Sequence, residues 1–392
     1  MIRYCTIAIL VFWVNVAFSQ GSSLTGRTTS VDMLKAADSS LEVILKNYGS
    51  KNSFLLRENF PVDESYQASY LGNSNNEEAG RQKYAYLWPY SGGLSATVAL
   101  YEHSKNKKYK SIIDKRLIPG LEEYYDDKRK PAGYASYISS APASDRFYDD
   151  NIWIGIDFTN LYLLTGETQY LEKAKVVWDF VYSGHDDLLG GGIYWCEQKK
   201  TSKNTCSNAP AAVFALKLYE ATNEKKYLEM GRSIYEWTKA NLQDTDGVYM
   251  DNVGLDGRVD RAKYPYNSGQ MIEAAALLSK ITKESHYLEE AQKVAKASFH
   301  HFFETDGSQR LKNSDSWFIA VMMRGFVQLY KLDSNPTYLQ AFRENLNFAW
   351  TANRDENGLF YKDWKGEKKD ERKWLLDQFA IVEMFANIVL LK

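Results

Sequence analysis

Apolar residues along this chain recur at intervals of three and four, the period of a helix with one buried face. The stretches come in two kinds. One is amphipathic, as at Tyr170, Ala174, Val177 and Trp178; the other is apolar nearly all round, as over residues 152–164. A helix of the second kind belongs inside a fold, and one of the first kind on its rim. Inner-type patterns fall over residues 94–103, 152–164, 211–221, 271–281, 317–332 and 379–391. Outer-type patterns fall over 31–47 and 108–125 and open again at Tyr170, Tyr227, Tyr287 and Tyr338. The pattern therefore predicts an all-α chain with six inner and six outer helices.

The outer helices repeat. Tyr170-Leu171, Tyr227-Leu228, Tyr287-Leu288 and Tyr338-Leu339 each follow a short polar turn, at spacings of 57, 60 and 51 residues. Such self-similarity marks a repeated supersecondary unit, here a helical hairpin. Hairpins can stack as an open solenoid or close on themselves. The leftover outer helix at the start can pair with the leftover inner helix at the end, and the loops are unequal. Both features favour closure, so residues 31–392 are expected to form one (α/α)6 barrel, a toroid of six inner and six outer helices. Inner-to-outer links are a few residues long. Outer-to-inner links are long, at roughly 48–88, 126–148, 184–207, 243–266, 305–314 and 352–376. Long loops of this kind are commonly functional, and all six open onto the barrel end where the inner helices begin. Ser91, Asp149 or Asp150, Asn208, Asn267, Ser314 or Asp315, and Asp377 are expected to cap those helices. Six helix N-termini converging on one mouth would favour negative charge there.

Composition narrows the function. With 48 basic and 50 acidic residues there is no basic excess, which argues against nucleic acid as a partner. Aromatics reach 14%, including 10 Trp and 28 Tyr, which suits a surface facing sugar rings and equally a helical core. The N-terminus reads as a signal peptide over residues 1–20: Met1-Ile2-Arg3 supplies charge, the run to Phe18 is apolar, and Ala17-Phe18-Ser19 suits cleavage. The apolar run is short for a membrane span. Residues 21–30 are small and polar, a flexible lead-in. Export would permit a disulfide between Cys196 and Cys206.

The strongest candidate chemistry is Tyr148-Asp149-Asp150-Asn151-Ile152-Trp153. Adjacent Cα atoms are ~3.8 Å apart, so two carboxylates here reach one small volume. Retaining glycosidases need two carboxyl groups ~5–5.5 Å apart. An Asp pair also suits a helix start on stability grounds alone. In a closed mouth two like charges cannot both ionise easily, so one carboxyl stays protonated while the other is an anion. The long loops supply groups suited to a sugar cleft: Trp88, Tyr90, Tyr194, Trp195, Asn208, Asp251, Tyr266, Asn267, Gln270 and Trp364, with Tyr249, Tyr264 and Tyr361 beside them. Other chemistries lack their patterns. No HExxH or GxSxG is present, and the glycine clusters lack phosphate-loop spacing. Asp244-Thr245-Asp246-Gly247 begins like a calcium loop but has Leu255 at the twelfth position, where a glutamate is required. Asp126-Asp127 and Asp186-Asp187 read as solvated or turn residues. No metal or cofactor is expected.

The stretch from Tyr148 to Trp153 resembles the adjacent-aspartate signature of glycoside hydrolase family 76, the α-1,6-mannanases. Gly191-Gly192-Ile193-Tyr194-Trp195, Lys203-Asn204-Thr205-Cys206-Ser207-Asn208-Ala209-Pro210-Ala211 and Tyr266-Asn267-Ser268-Gly269-Gln270 are similar to that family's stretches, in the same order. The resemblance implies an (α/α)6 barrel and a retaining, endo-acting hydrolase of the α-1,6-mannan backbone of yeast-type mannan. It implies Asp149 as nucleophile and Asp150 as acid/base. The expected protein is monomeric and exported by a bacterium, to the periplasm or cell surface, with α-mannan or mannooligosaccharide as its partner. The competing readings are another (α/α)6 carbohydrate enzyme (an inverting hydrolase, a transglycosylase or a lyase) and a non-catalytic glycan-binding protein.

Overall fold

The alternation of apolar and amphipathic segments becomes an alternation of inner and outer helices in the computed structural model, which describes residues 31–63, 66, 68 and 83–391. The expected signal segment and lead-in lie outside the described residues. In chain order the helices are α1 (Met33–Asn47), α2 (Leu87–Ser104), α3 (Lys107–Ile112), α4 (Ile118–Leu121), α5 (Tyr148–Thr165), α6 (Thr168–Tyr182), α7 (Thr205–Thr222), α8 (Lys225–Leu242), α9 (Pro265–Thr282), α10 (Ser285–Phe302), α11 (Ser316–Asp333), α12 (Thr337–Ala352) and α13 (Leu375–Asn387). The expected outer helix over 108–125 is α3 and α4 joined by a π-helical turn, Ile113–Leu117. Pro119 follows that turn at the first positions of α4, where a missing N–H costs least.

Helices α2, α5, α7, α9, α11 and α13 form the inner ring. Each packs on the next, and α13 closes back onto α2. The outer α1 packs on α13, so the two ends of the chain complete the last hairpin. The chain is an (α/α)6 barrel. Five inner helices end on a left-handed residue, Lys105, Gly166, Asn223, Lys283 or Ser334, and this αL cap turns the chain into the next outer helix within a few residues.

The other end carries the long loops and short strands: β1 (Asn59–Phe60), β2 (Tyr125–Asp126), β3 (Gly133–Tyr134), β4 (Ser202–Asn204), β5 (Met250–Gly254), β6 (Val259–Lys263) and β7 (Lys373–Trp374). All pairings are antiparallel: β1 with β7, β2 with β3, and β4-β5-β6 as one sheet.

Asp315 caps α11 as expected, and the other five inner helices begin earlier than their expected caps. The N-cap residues of the inner ring are Tyr86, Phe147, Asn204, Tyr264, Asp315 and Trp374, and no cap side chain accepts a hydrogen bond from its helix. Backbone carbonyls of the loops take the free N–H groups instead: Leu87 N–H donates to Ser136 O, Tyr148 N–H to Trp195 O and Leu375 N–H to Glu58 O, each at 2.9 Å. The first-turn side chains are thereby released for two other tasks. The fourth residue of several inner helices latches a loop. Asn151 accepts from Tyr134 N–H at 2.7 Å and donates to Tyr134 O and Phe147 O, both at 2.9 Å. Asn208 accepts from Ile193 N–H at 2.7 Å and donates to Ile193 O and Asn204 O, both at 2.8 Å. Ser268 accepts from Tyr249 N–H at 3.1 Å, and Gln378 exchanges hydrogen bonds with Phe360. The second residue performs the other task.

Candidate active site

Trp88, Asp149, Cys206, Tyr266 and Trp317 are the second residues of α2, α5, α7, α9 and α11, and all line one cavity of about 770 Å³ at the loop end of the barrel. The third residues Asp150, Phe318 and Asp377 join them. The repeat thus presents the same helical positions to one volume. The strands add a wall of Asn204, Asp251, Asn252 and Trp374.

The aspartate pair is positioned from two directions. Phe147 pairs antiparallel with Cys196, which fixes the segment before α5 against the loop before β4. That pairing sets Trp195 on Phe147, ring centroids 4.9 Å apart, with its indole N–H donating to Asp149 Oδ2 at 3.1 Å. Asp149 Oδ1 accepts from Asp150 N–H at 3.1 Å. The Asp150 carboxyl has no such partner among the described residues, although Asp150 is only 8% exposed.

Electrostatics separate the two groups. Burial pushes Asp149 up to about 6, against hydrogen bonds from Cys206, the Asp150 backbone and Trp195 that favour its anion. Burial and then the Asp149 charge push Asp150 well above the carboxylate range. Asp150 is therefore the group that keeps its proton, and Asp149 the group that becomes an anion first. The other acidic pairs each have at least one carboxylate held by a cation. Asp126 is ion-paired with Arg129, Asp186 with Lys203 at 2.6 Å, and Lys263 bridges Asp244 at 2.9 Å and Asp246 at 2.7 Å. Among the described residues no lysine or arginine forms an ion pair with Asp149 or Asp150. The would-be calcium loop holds a lysine ammonium between its aspartates.

The family model "Glycosyl hydrolase family 76" matches residues 61–391. The chain belongs to glycosyl hydrolase family 76. A family 76 glycoside hydrolase from a bovine Bacteroides thetaiotaomicron strain is 34% identical, with a TM-score of 0.82 over 92% of this chain and 78% of that one. An inactive variant of an α-1,6-mannanase of Salegentibacter sp. HEL1_6, with two adjacent aspartates replaced by asparagine, is held in complex with α-1,6-mannotriose. It is 28% identical, with a TM-score of 0.75 over 92% of this chain and all of that one. The Meiotically up-regulated gene 191 protein of Schizosaccharomyces pombe is 27% identical over 165 residues, a match that spans 38% of this chain and 37% of that protein.

Within the family 76 barrel, the residues expected to face sugar divide in two. Trp88, Trp195, Asp251 and Tyr266 line the cavity with the aspartates, as does Tyr264. Tyr90, Tyr194, Asn208, Asn267, Gln270 and Trp364 do not. Tyr90 is 1% exposed and donates its hydroxyl to backbone oxygens of Phe54 at 3.1 Å and Leu117 at 3.2 Å. Tyr194 turns its hydroxyl to Asp186 at 2.8 Å, because alternate residues of this extended segment face opposite ways and Trp195 takes the cavity side. Asn208 is the latch described above. Asn267 is fully buried, Gln270 donates to Glu273 at 2.8 Å, and Trp364 is packed at 1% exposure. Cys196 and Cys206 are both free. Cys196 packs with Tyr86 and Phe147, whereas Cys206 faces Asp149 in the cavity.

Trp153, Asp315, Trp317, Phe318, Trp374 and Asp377 also line the cavity, although the sequence marks Asp315 and Asp377 only as caps and Trp153 only as part of the aspartate motif. Trp153 was accessible to helical arithmetic, since it lies four residues after Asp149 on the same face. Asp377 occupies in α13 the position that Asp150 occupies in α5. Burial raises it to about 7, with Asp315 adding to the effect.

Proposed function

We propose that this chain is a retaining endo-α-1,6-mannanase that hydrolyses the backbone of yeast-type mannan, with Asp149 as nucleophile and Asp150 as acid/base. The observation that carries the reading is the split between the two neighbours, one anchored as an anion by Trp195 and one unpartnered and protonated, in a single cavity. The related α-1,6-mannanase that is inactive without its adjacent aspartate pair supports it.

In the first step an Asp149 oxygen attacks the anomeric carbon of the bound mannosyl unit. The bond from that carbon to the bridging oxygen breaks, and the Asp150 proton goes to the departing oxygen. In the second step the Asp150 carboxylate takes a proton from water. The water oxygen attacks the anomeric carbon, the bond to Asp149 breaks, and both carboxyls return to their starting states. Two inversions give net retention. The same reading has the chain exported by a bacterium, and N-terminal sequencing of secreted protein tests it: an intact Met1 start would remove that part.

Asp149→Asn and Asp150→Asn test the assignment. Each should lower hydrolysis of α-1,6-mannotetraose by at least about three orders of magnitude while thermal unfolding stays close to that of the wild type. Wild-type turnover by either folded variant would overturn it.

A further inference from the structure

The interior of the barrel is layered below the aspartates. On α5, Asp149, Trp153 and Asp157 follow at four-residue steps on one face, about 6 Å apart along the axis. Trp153 is 2% exposed and lines the cavity. Trp317 of α11, fully buried and in the same wall, meets it edge-to-face with centroids 6.0 Å apart and an interplanar angle of 87°. Its indole N–H has no hydrogen-bond partner among the described residues, so packing rather than a hydrogen bond orients it.

Beneath this pair lies Arg324, two turns after Trp317 on α11. Its guanidinium carbon sits 4.9 Å from the Trp317 ring centroid and 5.5 Å from that of Trp153. The far edge of the guanidinium is held by Glu383 of α13 through two hydrogen bonds of 2.6 and 2.8 Å. Both side chains are buried, at 10% and 4% exposure. Arg324, Asp157 and Glu383 line a second recess of about 270 Å³ that the proposed reaction does not use.

We propose that Arg324 is a positioning residue for the sugar site: it clamps Trp153 and Trp317 from below and sets the floor on which the substrate rests beside Asp149 and Asp150. The proposal rests on reading the mouth as the glycan-cleaving site. A planar guanidinium can face two rings while its fork engages a carboxylate. A lysine ammonium, as a point charge, cannot do both. The charge pair on its own would serve only stability, and that role is separable from the clamp.

Arg324→Met alone leaves Glu383 buried and unpaired and is expected to destabilise the fold. The informative variant is Arg324→Met/Glu383→Leu, which removes the pair together; Arg324→Lys keeps the charge without the fork. Thermal unfolding, steady-state kinetics on α-1,6-mannotetraose and near-ultraviolet circular dichroism of the indoles are read on both. The expected double variant unfolds within a few degrees of the wild type, has an altered indole signal, and shows KM raised about tenfold with kcat changed less than threefold. Arg324→Lys should shift KM and the indole signal in the same direction. A double variant, or a folded Arg324→Lys, with wild-type KM and an unchanged indole signal would overturn the clamp. If the wild type does not cleave the substrate, the functional reading fails separately, and the indole signal then decides the clamp by itself.

Discussion

Asp149 and Asp150 carry the same side chain one residue apart, and their neighbours make them different acids. Trp195 and Cys206 favour the anion of Asp149, whereas burial and the Asp149 charge favour the neutral form of Asp150. The dependence of kcat/KM on pH should therefore be bell-shaped, falling on the acid side as Asp149 gains a proton near pH 6 and on the alkaline side as Asp150 loses its own. Trp195→Phe tests the division of labour. It removes a hydrogen bond that lowers the Asp149 pKa, so the acid limb should move upward by about half a unit or more. An unmoved acid limb in a folded variant would show that the indole does not tune Asp149. This pair was legible in the sequence because adjacency alone forces two carboxylates into one volume. Trp317 and Phe318 were not, because they sit inside an apolar run that periodicity assigns to the core. Burial and cavity lining are the same sequence signal when a cavity is cut into the inner ring.

At the level of elements, one register of helix positions explains both what the loops do and why polar first-turn residues are not all sugar contacts. In α2, α5, α7, α9 and α11 the second residue faces the cavity, and in α5, α7, α9 and α13 the fourth latches the loop that precedes it. Asn208 has the sequence signature of a sugar contact, a polar residue near a glycine-rich loop. Its amide is fully buried in three backbone hydrogen bonds. Asn208→Ala should cost about 2–4 kcal/mol in urea unfolding, the sum of lost bonds and unsatisfied backbone groups. The KM of the folded fraction should stay near wild type; a raised KM at unchanged stability would make Asn208 a sugar contact instead. Apart from Asp315 in α11, the expected caps lie inside their helices for a related reason. Aspartate and asparagine near a helix start usually bond their own helix, whereas loop carbonyls take the first N–H of α2, α5 and α13, and Asp377 accepts from Ser316 N–H of α11 at 2.8 Å. The inner ring also depends on close approach. A Cβ on Gly269 would lie 2.3 Å from the Met322 Cα, and one on Gly325 would lie 2.2 Å from the Gly269 carbonyl oxygen. Backbone cannot swing aside as a side chain can, so Gly269→Ala should destabilise α9 against α11 by about 2 kcal/mol or more. Wild-type stability in that variant would contradict the contact.

For the molecule as a whole, the barrel stacks carboxylates at the mouth, indoles beneath them, and an ionic layer at the base. The six-hairpin architecture was readable because the Tyr-Leu repeat and the two grades of apolarity are local properties of the chain. The ionic layer was not, since Asp157, Arg324 and Glu383 come from three separate helices and only closure brings them together. That layer has a consequence for stability. Burial raises Asp157 from 3.8 to about 7, against the opposing pull of Arg324 and Ser95. The native state then binds more protons than the unfolded chain between these values, so stability from this group is greatest below about pH 4 and is lost as pH rises through 7. Asp157→Asn, which stays neutral throughout, should narrow the difference in unfolding free energy between pH 5 and pH 8 by about 1 kcal/mol or more. An equal difference in both proteins would place the titration elsewhere.

The claim on which the functional reading depends is that one carboxylate takes up the sugar and its neighbour releases it. Proton NMR of the earliest products from α-1,6-linked mannooligosaccharide observes this directly, before the anomers equilibrate. A retaining pair yields the α-anomer at the new reducing end first, with β appearing only by mutarotation. Initial β-anomer would mean a single displacement by water and would contradict the assignment of Asp149 as the attacking group.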